Sequence, residues 1–277
     1  MPDSDRYAVF GDPVRHSKSP QIHAEFAHQC QQRIQYRAVK VAQQDFKRAV
    51  RHFFADGGKG LNVTVPHKGA AFQLAERVTE RAQRAAAVNT LWLDDSGTLV
   101  GDNTDGVGLL RDIRDNHSWN IAGSRILLLG AGGAVRGVLE PLLAERPASL
   151  VIANRTIEKA RALAAQFAEL GQVSAMGLEE LDGSSYDLVI NGTSAGLSGD
   201  VPPLPDDLVG DRGCCYDMVY GSEPTAFMRW AAEQAAWAVT DGLGMLVEQA
   251  AESFCLWRGC RPETGPVITL LRSHLQG

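Results

Sequence analysis

Residues 125–137, RILLLGAGGAVRG, constrain the fold of this chain more than any other stretch. The run Ile126–Leu129 is apolar throughout and too short for a helix, which suits a buried strand of a parallel sheet. A glycine turn and then a helical segment follow it. Strand, glycine turn and helix in that order are the setting of a dinucleotide site. There, glycines let the backbone approach a pyrophosphate held at the positive end of the helix. The strict Gly-x-Gly-x-x-Gly spacing is not met: Gly130 and Gly132 fit, Val135 stands at the third position, and Gly133 and Gly137 flank it. A purely structural strand-to-helix turn is the alternative reading of the same residues.

The alternation continues along the chain. In the first half YAVFG, QYRAVKV and GLNVTV read as strands, with helical stretches near residues 20–33, 43–55 and 67–77. VNTLWLDDSGTLVGD sets Asp-Ser-Gly between two extended runs, a hairpin pattern, and GVGLLRDIRDN predicts a helix near residues 106–116. After RILLLG come the strands SLVIAN, QVSAM, DLVIN and CCYDMV. Between residues 157 and 170, Ala160, Leu163, Ala164 and Phe167 share one helical face. The late helical pattern DGLGMLVEQAAESFCLWRG carries an apolar face able to return to the first half and make that half discontinuous. The class is α/β, and 277 residues suit two domains.

A net charge of −6 argues against nucleic acid or an anionic membrane surface, so an anionic ligand must be met by a few local cations. No apolar stretch is long enough to span a bilayer, and MPDSDRYAVF lacks the basic and apolar regions of a signal peptide. The five cysteines (Cys30, Cys214, Cys215, Cys255 and Cys260) form an odd, sparse set that suits reduced thiols in the cytoplasm. Adjacent Cys214 and Cys215 read as packing residues. No Cys-x-x-Cys or His-Glu-x-x-His spacing occurs, so no metal site is expected.

The strand after the glycine loop ends in Asn154, followed by Arg155, Thr156 and, one turn on, Lys159. An acid at this place suits NAD, whereas a guanidinium grips a 2′-phosphate with paired hydrogen bonds, so the four residues favour NADP. Four polar islands lie elsewhere: RHSKSP, NVTVPHK, AVNT and GDNTDG. Reducing a ketone requires a hydride and a proton. Lys68 can donate the proton and Asp105 can orient it. Each alone reads as a solvated surface residue, but both stand at strand or hairpin ends, where α/β folds gather ligands. Ser19 before Pro20 reads equally as a helix N-cap or, with Ser17, as a carboxylate-binding hydroxyl. In NVTVPHK, alternation puts Val63 and Val65 towards the core and Asn62 and Thr64 on the polar side, with Pro66 ending the ladder. His16, His23 and His67 have no recognisable catalytic spacing.

Together GDPVRHSKSP, NVTVPHK, AVNT, GDNTDG, GAGGAVRG, ANRT, NGTSAG, YDMVY and DGLGMLVEQA, in order from Gly11 to Ala250, resemble the shikimate dehydrogenases of the NADP-dependent, biosynthetic type. The resemblance implies reversible reduction of 3-dehydroshikimate to shikimate with NADPH, towards chorismate and the aromatic amino acids. It implies a discontinuous α/β substrate domain (residues 1–104 and 242–277), a Rossmann-like NADP-binding domain (residues 105–241) and a cleft separating them. Lys68 and Asp105 become the catalytic pair. Ser17 and Ser19, with Tyr220, hold the substrate carboxylate, and Asn62, Thr64, Asn89 and Gln249 contact its other oxygens. Gly130, Gly132, Gly133 and Ala134 form the phosphate loop, Asn154, Arg155, Thr156 and Lys159 the adenosine-phosphate side, and Thr193, Met218 and Gly242 the nicotinamide end. The partner is a small molecule, and the assembly a monomer or homodimer. Two departures are mild: Gly192 where relatives often have Ala, and Lys159 where Arg also occurs. Rival readings are a broader quinate/shikimate dehydrogenase, another two-domain NADP dehydrogenase such as the methylenetetrahydrofolate type, and a non-catalytic NADP- or shikimate-binding regulator.

Overall fold

β1 (Asp5–Gly11) is buried on both faces from Tyr7 onward, so structure must be laid over both of its sides. α1 (Ser19–Gln29) leads to β2 (Ile34–Lys40) and α2 (Phe46–Ala55) leads to β3 (Gly58–Val63); both strands run parallel to β1. α3 (Lys68–Leu74), β4 (Arg77–Val78) and α4 (Glu80–Ala85) follow, then the antiparallel pair β5 (Thr90–Leu93) and β6 (Leu99–Asp102). The sheet order is β2-β1-β3-β5-β6-β4. Ala8, Phe10, Leu61 and Val63 point to one face and bury against Phe46, Val50 and Phe54 of α2 and its start. The computed structural model describes residues 4–193 and 202–276; Ser194 to Gly196 of the NGTSAG motif lie outside them.

The second sheet is built from the doubly buried run in RILLLG. α5 (Asp105–Arg111) continues into a wider turn at Asp112–Asn116. Then come β7 (Arg125–Leu129), α6 (Gly133–Ala144), β8 (Ser149–Asn154), α7 (Ile157–Phe167), β9 (Val173–Gly177), β10 (Tyr186–Asn191), β11 (Val209–Asp217), α8 (Ala226–Glu233) and β12 (Ala238–Thr240). All strands are parallel in the order β12-β11-β10-β7-β8-β9. Ile126 and Leu128 enter one core cluster and Leu127 and Leu129 the other. That is why this strand reads as an unbroken apolar run. Counted from β7, the order is the doubly wound 3-2-1-4-5-6 arrangement, whose switch point lies between β7 and β10.

α9 (Leu243–Arg258) and α10 (Gly265–Gln276) close the chain. Two compact units result: Met1–Gly108 with Val247–Val267, and Leu109–Leu246 with Ile268–Gly277. The chain passes from one to the other inside α5, α9 and α10. Within the first unit, Trp257 of α9 lies over Gly60 and Glu252 pairs with Arg81. Within the second, Arg272 of α10 donates to Asp241 at 2.7 Å. Among the described residues no helix is long and apolar enough to cross a membrane.

Two expectations are corrected here. Val65 is 65% exposed, because β3 ends at Val63 and the chain turns before the alternation can continue. Cys30 and Cys260 are joined as a disulfide across a separation of 230 residues, so this pair does not stand as free thiols. The return of α9 brings them together, and local spacing carries no trace of it. Cys214 and Cys215 are free and packed, and burial pushes their thiols up to about 11 and about 12.

A Cβ at Gly60 would come within 2.5 Å of the Trp257 ring. Gly60→Ala is therefore expected to push α9 off the sheet and destabilise the chain by about 1–3 kcal/mol. Urea denaturation checks this, and an unchanged midpoint would show that Trp257 yields without cost.

Candidate functional site

Lys68 opens α3 and Asp105 opens α5. Lys68 Nζ donates to Asp105 Oδ2 at 2.5 Å, with the lysine side chain 29% and the aspartate side chain 11% exposed. Each is fixed from behind. The Lys68 carbonyl accepts from Val88 N–H at 3.0 Å, tying the start of α3 to the AVNT segment. Asp105 Oδ1 accepts from Asn89 Nδ2 at 2.8 Å, and Asp105 N–H donates to Asn103 Oδ1 at 3.1 Å. A carboxylate whose second oxygen and backbone are both held aims its first oxygen at the ammonium, which is the arrangement a directed proton donor requires.

Asn89 connects this pair to the other polar islands. Its Oδ1 accepts from Thr104 N–H and Thr90 Oγ1, both at 2.9 Å, and its Nδ2 reaches Gln249 Oε1 at 3.3 Å. Asn62 lies one strand away. Its Nδ2 faces Asn89 O, Thr90 Oγ1 and Ser253 Oγ at 3.1–3.2 Å, and its Oδ1 accepts from Tyr36 Oη at 2.7 Å. Thr64 stands just past β3, with its N–H donating to Phe10 O at 2.9 Å and its methyl against Gly11. Ser19 lies inside the first turn of α1, where Lys18 takes the cap position without a side-chain bond. The Ser19 hydroxyl is therefore not consumed as a helix cap, and its N–H donates to Ser17 Oγ at 3.3 Å. Ser17, Ser19, Asn62, Thr64, Lys68, Asn89, Asp105 and Gln249 thus all belong to the first unit, whereas Tyr220 follows β11 in the second. Burial raises the Tyr220 phenol above its ordinary pKa.

In the second unit, the glycine loop stands at the C-terminal end of β7, beside the end of β10. Gly130 has φ +103°, a left-handed conformation, and a Cβ there would press on the Gly192 carbonyl at 3.1 Å. Gly132 caps α6 without any side-chain bond, and nothing lies within 4 Å of a Cβ built on Gly132 or Gly133. Uncapped N–H groups opening on free space suit a pyrophosphate. Val135 at the third glycine position is buried in the sheet core, and a Cβ on Gly192 would meet it at 2.5 Å. The Gly192 departure thus has a packing reason. Asn154 ends β8 and donates to Thr156 O at 2.9 Å, and Arg155, Thr156 and Lys159 lie around the uncapped start of α7. Neither Arg155 nor Lys159 has an ion-pair partner among the described residues. These residues fit a dinucleotide that carries an extra phosphate on its adenosine side. Thr193 is held by Asn191, and Gly242 packs so closely on Met218 that a Cβ would lie 2.3 Å from the Met218 carbonyl oxygen.

Several supporting residues were not legible in the sequence. Tyr36, Thr90, Thr104 and Ser253 hold the amides in place; Ser253 lies four residues after Gln249, a helical spacing that was available as a signal. Asp102, buried in GDNTDG, accepts from Arg81 Nε at 2.8 Å, from Thr79 Oγ1 and from Asn103 N–H. Asn191, Asp217 and Thr225 form a comparable chain beneath Thr193 and Met218. His67 takes a structural role: its Nε2 lies 2.8 Å from Val41 O and its ring stacks on Phe46.

A doubly wound sheet with its glycine loop at the switch point, in a chain that carries a lysine–carboxylate pair in a second α/β unit, defines a dinucleotide-dependent oxidoreductase. Family models match as the shikimate dehydrogenase substrate binding domain over residues 9–91, shikimate/quinate 5-dehydrogenase over 112–198, and the shikimate 5′-dehydrogenase C-terminal domain over 242–272. The shikimate dehydrogenase (NADP(+)) of Alkalilimnicola ehrlichii is 58% identical over 269 residues, which cover 97% of this chain and 99% of that one. Among crystal structures, the Ael1 enzyme from Pseudomonas putida superposes with a TM-score of 0.91 at 48% identity, over 97% of this chain and 98% of that one. Shikimate 5-dehydrogenase from Thermus thermophilus, in complex with NADP(H) and shikimate, does so with 0.87 at 33% identity, over 98% and 100%. The chain belongs to the shikimate dehydrogenase family.

His23, one turn after Ser19, is fully buried and stacks on Tyr36 with ring centroids 4.2 Å apart. Neither ring nitrogen has a hydrogen-bond partner among the described residues, and burial lowers its pKa from 6.5 to about 3. The folded chain therefore holds a neutral imidazole. The stability tied to that neutrality is present above pH 6.5 and is lost as pH falls towards 3. His23→Phe should shift the acid-unfolding midpoint to lower pH by circular dichroism. Coincident midpoints would remove His23 from the acid transition.

Proposed function

We propose that this chain catalyses the reversible reduction of 3-dehydroshikimate to shikimate with NADPH. The observation that carries the reading is the 2.5 Å contact between Lys68 Nζ and Asp105 Oδ2, locked through Asn89 to the amide network of the same unit. When bound, NADPH supplies the hydride. Lys68 gives a proton to the oxygen that develops negative charge at the reduced carbonyl, and recovers it in the reverse direction. Asp105 keeps the ammonium aimed. Ser17 and Ser19, with Tyr220, hold the substrate carboxylate. Asn62, Thr64, Asn89 and Gln249 receive its hydroxyls, which disfavours analogues that leave those groups unpaired.

In the same reading the first unit binds substrate and the second binds NADP. Gly130, Gly132, Gly133 and Ala134 hold the pyrophosphate at the start of α6. Asn154, Arg155, Thr156 and Lys159 hold the 2′-phosphate side, with Arg155 as the bidentate partner and Lys159 as a point charge. Thr193, Met218 and Gly242 line the nicotinamide end. The enzyme works in the cytoplasm as a monomer or homodimer.

Lys68→Ala is expected to lower kcat by roughly 10²–10⁴-fold, the usual worth of a positioned general acid, with shikimate affinity changed only a few-fold. Near-normal turnover would remove Lys68 from the mechanism. Arg155→Ala should raise KM for NADPH about tenfold or more while leaving NADH use little altered. Steady-state assays of shikimate and quinate, each with NADP and NAD, test the whole reading. Turnover of neither substrate would overturn it.

A further inference from the structure

The first sheet carries a second concavity, on the face opposite Asn62. β2 is an edge strand, and its parallel register sets Arg6 beside Gln35, Ala8 beside Arg37 and Phe10 beside Val39. Residues paired in this way point to the same face, and successive residues to opposite faces. Ala8 and Phe10 belong to the core that α2 covers, so Arg6, Arg37 and Val39 share that face. Asn62 pairs with Val9 and points away from it.

α2 covers the β1 and β3 columns but leaves the β2 column open: Arg37 is exposed and Val39 is 37% exposed. Between strand and helix lies a cavity of about 650 Å³, within the size range of small-molecule sites. Its apolar wall is formed by Phe10, Val39, Ala49 and Phe53.

The charges around this groove do not cancel. Arg48 pairs with Asp45 at 2.5 Å, His52 with Asp56 at 3.1 Å and Lys40 with Asp12 at 3.3 Å. Arg6 and Arg37 line the same cavity and have no carboxylate partner among the described residues. Two unmatched guanidinium groups on one sheet face, in a chain of net charge −6, are a local excess of positive charge. Guanidinium groups bind a carboxylate through paired N–H donors. Asp45 is matched by Arg48, so the unmatched positive charge of this face is small, which favours a monoanion over a polyphosphate. The apolar wall suits a flat ring.

We propose that this groove binds an aromatic monocarboxylate, its carboxylate at Arg6 and Arg37 and its ring against Val39 and Phe53, at a site separate from the one holding Lys68. Naphthalene-2-carboxylate serves as the probe, titrated into the full chain by calorimetry with saturating shikimate present, and again into Lys68→Ala. Saturable binding is expected in both. It should weaken at least tenfold in Arg6→Gln/Arg37→Gln and be lost in Val39→Glu, which places an acid on the exposed strand face beside Arg37. Naphthalene-2-carboxamide should not bind. Circular dichroism and shikimate turnover of Arg6→Gln/Arg37→Gln and of Val39→Glu should match the parent chain. Equal binding of the carboxamide, binding insensitive to the arginine substitutions, or no binding of the carboxylate at millimolar concentration would overturn the proposal.

Discussion

An ammonium and a carboxylate stay fixed on each other only if every other polar atom around the carboxylate is already committed. Asn89 meets that condition. One amide side chain donates to Asp105 and Gln249 and accepts from the Thr104 backbone and the Thr90 hydroxyl. Asn62 extends the chain to Tyr36 and Ser253. Leaving a buried amide half-satisfied costs about 1–3 kcal/mol, so the network tolerates few alternative arrangements. Gln249 and Ser253 are the share of α9 in this network, joined to a sheet begun some two hundred residues earlier.

The second unit solves its problem with absent side chains. Gly130, Gly192 and Gly242 each stand where a Cβ would meet backbone or core, and together they bring the ends of β7, β10 and β11 close. Val135 shows the same economy from the other side. It fills the core at the place of the third glycine in the usual fingerprint, and Gly192 makes the room for it. The loop thus departs from the motif without losing the open, uncapped start of α6 that an anion uses.

Features set by local pattern are legible in the amino-acid order itself. The doubly buried run Ile126–Leu129, the Asp94–Gly97 hairpin turn and the amphipathic α7 follow from apolar spacing and turn chemistry. Lys68 and Asp105 could be singled out because both stand at strand ends beside other polar residues. What stayed hidden depends on long-range closure. Ser253 and Trp257 acquire their roles only when α9 meets β3, and the Cys30–Cys260 bridge follows from the same return. The half-buried Arg81–Asp102 pair was obscured because an arginine in a short helix and an aspartate in a polar motif each look solvated. Val65 misled in the opposite sense: alternation continued in the letters after the strand had ended.

The return of α9 also sets an order of events during synthesis. Chains emerge from the ribosome N-terminus first, and domains generally fold as units in that order. Here the unit that begins first is closed only after most of the second has been made. β1 to β6 are made early, yet the surface over Gly60 and the inner side of Asn62 wait for residues 249–257. The Leu109–Leu246 part of the second unit is made in that interval and has its whole sheet available beforehand, and Ile268–Gly277 joins it afterwards. The unit bearing the lysine–aspartate pair therefore waits longest between its first strand and its last contacts, with its amide network unfilled until α9 has been made.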